Sequence, residues 1–110
     1  MLNPKYPFGP ADVKAVTPGA TMNVEVSNPE TILNLGELAA AGTINLDIDP
    51  EMPAGATLTV KAKSDGTARD ITLGTGITGT TIAGTISKTK VATFKFDGTA
   101  YLHVATQQVD

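Results

Sequence analysis

The chain has 110 residues, a formal net charge of −3 and no cysteine. This length suits one domain with one core, and the lack of cysteine excludes disulfides and thiolate metal sites. No run is apolar enough to span a bilayer and the N-terminus does not resemble a signal peptide, so we expect no membrane segment and no export by such a signal.

The first twenty residues predict an extended arm. Four of the seven prolines lie within the first eighteen residues, and proline fixes φ and removes an amide donor. The arm also holds two of the five aromatic residues. A frayed terminus is the alternative, but we expect the arm to contact the flank of the domain or a neighbouring molecule through Pro4, Tyr6, Pro7, Phe8 and Pro10.

From Thr21 onward, apolar and polar residues alternate with the period of half-buried β-strands. Threonine fills many of the outward positions, which suits a pleated surface. The apolar rows are Met22, Val24 and Val26, then Ile44, Leu46 and Ile48, then Leu58, Val60 and Ala62, and finally Ile71 and Leu73.

Glycine, proline, asparagine and aspartate mark the turns between these strands. The turn signals lie at Asn28-Pro29, at 49–55, at Asp65-Gly66, at 74–79 and at Asp97-Gly98. One helical turn is predicted at 37–41, closed by Gly42. We therefore predict an all-β fold, a single antiparallel β-sandwich or small barrel over residues 21–110, preceded by the extended Pro-rich arm at 1–20.

The length of the last hairpin loop decides which side chains share a face, because strand side chains alternate. A two-residue loop at Asp97-Gly98 places Phe94 opposite Tyr101 and sends Leu102 and Val104 to the other face. Both faces of the hairpin are then apolar, and we expect one of them to form a subunit contact.

An odd loop with Gly98 as a bulge is the arrangement that we favour, because it produces a single apolar face. It gathers Ala92, Phe94, Leu102 and Val104 on one side. The side chains that it leaves exposed are Lys95, Tyr101 and His103.

The run Gly74 to Gly79 matches G-x-G-x-x-G, and Asp97 follows about twenty residues later, as in a dinucleotide-binding fingerprint. That fingerprint requires its last glycine to open a helix whose N-terminus holds pyrophosphate. Here residues 80–86 are rich in β-formers instead. We therefore predict no nucleotide cofactor.

Asp47, Asp49 and Glu51 alternate where a strand ends, and calcium favours clustered oxygen ligands. Three carboxylates fall short of the six or more oxygens that calcium takes, and a solvated strand end explains them equally well. We predict no metal site, although the sequence leaves cation binding by these residues open. A metal-dependent hydrolase built on them is the least favoured function.

Other chemistry finds little support. His103 is the only histidine, and Ser27, Ser64 and Ser87 lie in turn-like contexts without the marks of a nucleophile. Nucleic-acid binding on sheets usually adds stacking aromatics to basic residues, and only Tyr101 is placed for that. We therefore predict no enzyme, no cofactor and no nucleic-acid partner.

Aromatic residues bury about 150–250 Å² each, so five of them leave a thin core and favour oligomers. Residues 1–53 hold seven acidic and two basic side chains, whereas residues 54–110 hold four acidic and six basic ones. This asymmetry favours head-to-tail contacts between copies, and a mixed solvated surface is the alternative.

Two stretches, SDGTARDITLG at 64–74 and GTISKTKVATFKFDGTAY at 84–101, resemble small virion structural proteins of tailed bacteriophages. The likeness is to capsid auxiliary or head-fibre proteins of crAss-like phages and covers roughly residues 54–105. It implies a β-sandwich displayed in many copies on the capsid, often as trimers, contacting the major capsid protein. The protein would be made in the host cytoplasm and then reside in the virion.

We thus expect a capsid auxiliary, decoration or head-fibre protein that docks through the arm and one sheet face. The alternative is a β-sandwich that binds glycans or a host surface. Such sites commonly use exposed aromatics, and Tyr101 is the obvious platform on this chain.

Overall fold

The computed structural model describes residues 12–79 and 81–110, which form two packed β-sheets. The strands are β1 (Asp12–Ala15), β2 (Thr21–Val26), β3 (Glu30–Leu38), β4 (Gly42–Ile48), β5 (Thr57–Ser64), β6 (Ile71–Leu73), β7 (Ile77–Thr78), β8 (Thr81–Ile82), β9 (Thr89–Phe96) and β10 (Tyr101–Gln108). The larger sheet has the order β1-β3-β5-β9-β10-β7. The smaller sheet has the order β2-β4-β6-β8.

The predicted apolar rows lie on the buried faces of β2, β4, β5 and β6, which confirms the all-β sandwich. Alternation places one side of each strand against the opposite sheet and the other side toward solvent. The buried members are Met22, Val24, Val26, Ile44, Leu46, Leu58, Val60, Ala62, Ile71 and Leu73, and Ile48 is half-buried.

The prediction of an antiparallel sandwich is wrong for the first six strands. The chain crosses from one sheet to the other after each strand, so β1, β3 and β5 lie in parallel in the larger sheet, and β2, β4 and β6 lie in parallel in the smaller one. Period-two alternation is the same for either pairing direction. The sequence pattern therefore could not reveal that the turns join different sheets.

The C-terminal part has the antiparallel pairing that we expected. β9 pairs antiparallel with β5 and β10, and β8 pairs antiparallel with β6. The short β7 lies parallel to the start of β10 and ends the larger sheet. The first six strands thus alternate between the two sheets as three successive pairs, and the β9–β10 hairpin adds antiparallel strands to the larger sheet.

The core lies between the two sheets and contains side chains from both. Tyr101, Phe94, Leu33 and Ile44 are among its largest fully buried members. Three aromatic rings, those of Phe94, Phe96 and Tyr101, lie in the hairpin of the larger sheet, while the rest of the core is mainly aliphatic. Aromatic packing is thus concentrated at one part of the molecule.

Two local predictions need correction. Glu37 and Leu38 end β3 rather than begin a helical turn, and β3 contains an irregularity at Asn34–Gly36, where Gly36 adopts a φ of 68°. In addition, residues 12–15 of the predicted arm form β1, which pairs with β3. The folded domain therefore includes Asp12, and the arm residues Pro4, Tyr6, Pro7, Phe8 and Pro10 lie outside the described residues.

Two loops, one before β6 and one before β9, are joined by polar contacts. The Arg69 guanidinium donates to both carboxylate oxygens of Asp65 at 2.9 and 3.1 Å. This contact and the Thr67 amide lower the pKa of Asp65. The Ser87 amide donates to the Asp65 carbonyl at 2.9 Å, and the Gly84 amide donates to the Asp70 carboxylate at 2.9 Å.

Gly84 lies against the backbone of the neighbouring loop, so Gly84→Ala should destabilise the fold. The added Cβ would overlap the Arg69 carbonyl oxygen and lie 2.7 Å from the Arg69 nitrogen. We expect a loss of about 1–3 kcal/mol in the free energy of unfolding, measured by chemical denaturation. Gly66→Ala is the matched control, because a Cβ there meets nothing within 4 Å. Equal denaturation midpoints for the two variants would contradict this account.

Candidate docking surface

The hairpin loop between β9 and β10 has four residues, Asp97 to Ala100. The Asp97 carboxylate accepts hydrogen bonds from the amides of Thr99 and Ala100 at 2.8 and 2.9 Å, and these bonds lower the pKa of Asp97. The Asp97 amide donates to the Ala100 carbonyl at 3.1 Å, and Gly98 has a φ of 103°. The loop has an even length, so Phe96 pairs with Tyr101.

This pairing overturns the arrangement with an odd loop. Tyr101 is fully buried, with its ring 5.0 Å from that of Phe96, and His103 is half-buried and stacked 5.0 Å from Phe94. Only Lys95 of the three predicted exposed residues is exposed. The even loop places Phe94, Phe96 and Tyr101 on the same face of the larger sheet, toward the core. An odd loop would have turned Tyr101 to the opposite face.

Of the apolar side chains that we expected to share the core face with Phe94, Ala92 is buried, but Leu102 and Val104 are exposed instead. Leu102 is 38% exposed and pairs with Lys95 on the outer face. The register shifts between His103 and Ala105, so Val104 is the extra residue of a β-bulge and is 60% exposed. Both sides of the hairpin therefore carry apolar residues, as the two-residue loop also predicts. That loop is nevertheless wrong in length and register, because four residues separate the strands and Phe94 pairs with His103 rather than with Tyr101.

Tyr101 cannot be a glycan platform, because its ring is part of the core. Its hydroxyl finds no hydrogen-bond partner within residues 12–79 and 81–110, and burial raises the pKa of this phenol. The glycan-binding alternative thereby loses the side chain on which it depended.

An uncharged row of side chains crosses the outer face of the larger sheet. Strand register aligns one residue from each of five strands, β1, β3, β5, β9 and β10. At about 4.8 Å between strands the row is about 19 Å long. We call it the outer band, and it consists of Val13, Ile32, Thr59, Thr93 and Ala105.

Charged residues lie on both sides of the outer band. Glu30 and Lys95 flank it in the neighbouring row, where the Lys95 ammonium donates to the Thr57 hydroxyl at 3.0 Å. Lys61 lies in the row on the opposite side. Leu102 and Val104 extend the exposed apolar surface at the β10 end. The face therefore has an uncharged centre and a polar rim.

The outer face of the smaller sheet is polar throughout. Its four strands align a ladder of threonines, Thr21, Thr43, Thr72 and Thr81. Beside it, the Asn45 side chain donates to Oδ1 of the Asn23 side chain at 3.3 Å and accepts from the Thr75 amide at 2.9 Å.

A sequence repeat produces the part of these ladders that lies on β2 and β4, and the sequence predictions above did not include it. TMNVEV at 21–26 and TINLDI at 43–48 share one pattern and pair in register as β2 and β4. The signal is a pattern of residue classes, in which threonine, asparagine and an acidic residue alternate with apolar residues, rather than an identical fragment.

The three predicted carboxylates do not form a metal centre. The Asp49 carboxylate accepts the Glu51 amide at 2.8 Å as part of a turn. Asp47 projects from the exposed side of β4. In the described part of the chain, no three acidic or histidine side chains are grouped so that they could hold a metal ion.

The G-x-G-x-x-G run does not open a helix. It spans β7, and β8 follows at Thr81. The His103 imidazole lies 2.6 Å from the Thr106 hydroxyl rather than from a serine. Within residues 12–79 and 81–110 no helix could cross a bilayer.

Comparison with known proteins identifies no relative: no protein-family model matches the chain, and no curated protein does.

Replacing Tyr101 by phenylalanine should stabilise the protein by about 1 kcal/mol, because it removes a buried hydroxyl without a partner. The raised pKa of the phenol adds a dependence on pH. The folded state holds this proton more tightly than the unfolded state does, so the natural protein loses stability as pH rises above about 10. Tyr101→Phe should lose less over the same range.

Thermal unfolding of both proteins at pH 7 and pH 10.5 measures these effects. Phe94→Leu serves as a control for altered packing without a change in ionisable groups. A Tyr101→Phe variant that is less stable at pH 7, or that shares the alkaline loss in full, would contradict the assignment.

Proposed function

We propose that this chain is a non-enzymatic virion structural protein of a tailed bacteriophage, a capsid auxiliary, decoration or head-fibre component. It docks on the major capsid protein or another virion protein through its N-terminal arm and the outer band. The observation that carries the proposal is an uncharged row across five strands, with exposed valines at its ends and with Glu30, Lys61 and Lys95 beside it.

The composition of this face supports a docking role. Protein interfaces have a centre depleted in charge and a polar rim, and the outer band with Glu30, Lys61 and Lys95 has that arrangement. Val13 and Val104 are 64% and 60% exposed. Covering them removes apolar surface from water at about 25 cal/mol per Å². β-Branched side chains also lose little rotamer freedom when they are covered.

The resemblance to virion proteins also supports a docking role for the outer band. The two stretches that carry it, 64–74 and 84–101, include β6 and β9 and reach the start of β10. β9 contributes Thr93 to the outer band and Lys95 to its rim. The resemblance also implies many copies, often trimers, on each capsid.

The role of the arm in docking can be tested with a deletion whose end point is chosen from the structure. Removing residues 1–10 leaves β1 intact, whereas a longer deletion would remove a strand of the larger sheet. We expect the shortened protein to fold, shown by circular dichroism, and to be lost from purified particles, shown by quantitative mass spectrometry. Normal incorporation would contradict the role of the arm.

The outer band is tested by Thr59→Lys, which places a charge at its centre. Burying an unpaired charge in an interface is costly, so we expect incorporation to fall roughly tenfold or more. Thr72→Lys is the matched control, because it makes the same change on the outer face of the smaller sheet. Equal incorporation of the two variants would contradict docking through the outer band.

A further inference from the structure

One end of the two-sheet stack is open. β1 and β2 are the edge strands there, and within residues 12–79 and 81–110 no further strand pairs with either of them. A groove of about 590 Å³ runs between them, lined by residues 14–17 and 21–25. Its β2 side includes Met22 and Val24 of the core.

The backbone of these edges is arranged to accept another strand. The Ala20 carbonyl accepts from the Thr43 amide of β4, and the Val26 carbonyl accepts from the Asp49 amide just after β4. Alternation therefore directs the backbone groups at 21, 23 and 25 away from β4. Likewise, the Val16 amide donates to β3. The same alternation directs the backbone of Val13 outward from β1.

A twofold axis satisfies these outward groups on β2. With Asn23 on the axis, the two Asn23 residues form a hydrogen-bonded antiparallel pair, and Thr21 pairs with the partner's Glu25. Met22 then lies opposite the partner's Val24, which continues the core. No like charges meet along this edge.

The same axis suits β1. With Val13 on the axis, Asp12 lies opposite the partner's Lys14, and the two exposed Val13 side chains meet on the outer face. Opposite charges directly across strands are favourable.

One axis can serve both strands. Val13 lies three residues before the connection 16–20 and Asn23 lies three residues after it. The two residues are therefore at about the same height in the stack.

We infer that a second copy of this chain binds here, extending both sheets about one twofold axis. Such an isologous contact uses the same surface on both partners. It shares only Val13 with the outer band and does not depend on the proposed virion role.

Lys14 has different hydrogen-bond and ion-pair partners in the monomer and in the proposed dimer. Its ammonium donates to the Glu25 carbonyl at 2.6 Å and lies 3.8 Å from the Asp12 carboxylate, so it covers the end of the single chain. In the dimer the Glu25 carbonyl accepts from the partner's Thr21 amide. Lys14 then pairs with the partner's Asp12.

Hydrogen exchange of the full chain at low and high protein concentration tests the backbone pairing. We expect the amides of Val13, Asn23 and Glu25 to gain protection as the concentration rises, together with a dimeric mass in solution. The amides of Met22 and Val24 point toward β4 and are the internal control, protected at every concentration. Exchange at Asn23 that is independent of concentration would overturn the inference.

Charge reversal tests the register. Lys14→Asp places carboxylates opposite each other, and we expect the dissociation constant of the dimer to rise roughly tenfold or more. Adding Asp12→Lys restores opposite charges and should restore the dimer. Lys61→Asp, with the same change of charge on the outer face of β5, should leave it intact.

Three other outcomes would contradict a twofold dimer formed through β1 and β2. A dimer that responds to Lys61→Asp and not to Lys14→Asp uses the outer face instead. Protection at Ala105–Gln108 of β10 would indicate a head-to-tail contact, which the net charges of the two halves favour. A monomer at all concentrations also contradicts the inference, while leaving incorporation into particles as the separate test of function.

Discussion

Burial of one face of every long strand against the opposite sheet is the constraint on which the structure depends. The chain meets it by changing sheets after each of the first eight strands, so that successive apolar rows face the same core from both sides. Ile44 and Leu33, fully buried in opposite sheets, belong to this shared core. Short connections suffice, because adjacent strands in the chain lie across the core rather than side by side.

This winding leaves surfaces with different properties. The outer face of the smaller sheet has polar ladders of threonine and asparagine, because one repeated pattern occupies paired strands. The larger sheet has the uncharged outer band between charged rows. The ends of the stack differ as well, since β1 and β2 form an open edge and the hairpin lies toward the other end of the larger sheet. The two proposed contacts, docking through the outer band and pairing through the β1 and β2 edges, thus use different surfaces that share only Val13.

The hairpin shows how a local choice changes a surface. Four loop residues keep Tyr101 on the same face as Phe96 and Phe94, and the bulge at Val104 then changes the parity of β10. A core poor in aromatics gains three neighbouring rings. The cost is a buried phenol hydroxyl without a partner in the described part of the chain. The exposed apolar residues Leu102 and Val104 result from the same arrangement.

The residue pattern alone was enough for the all-β class, for the buried rows such as Met22, Val24 and Val26, and for most turns, because alternation and turn chemistry are local. It could not decide which strands are neighbours, since parallel and antiparallel strands alternate alike. It also could not decide the loop parity that buries Tyr101, or that residues 12–15 join a sheet. Those features depend on contacts between distant parts of the chain, and the outer band exists only because strand register aligns five such parts.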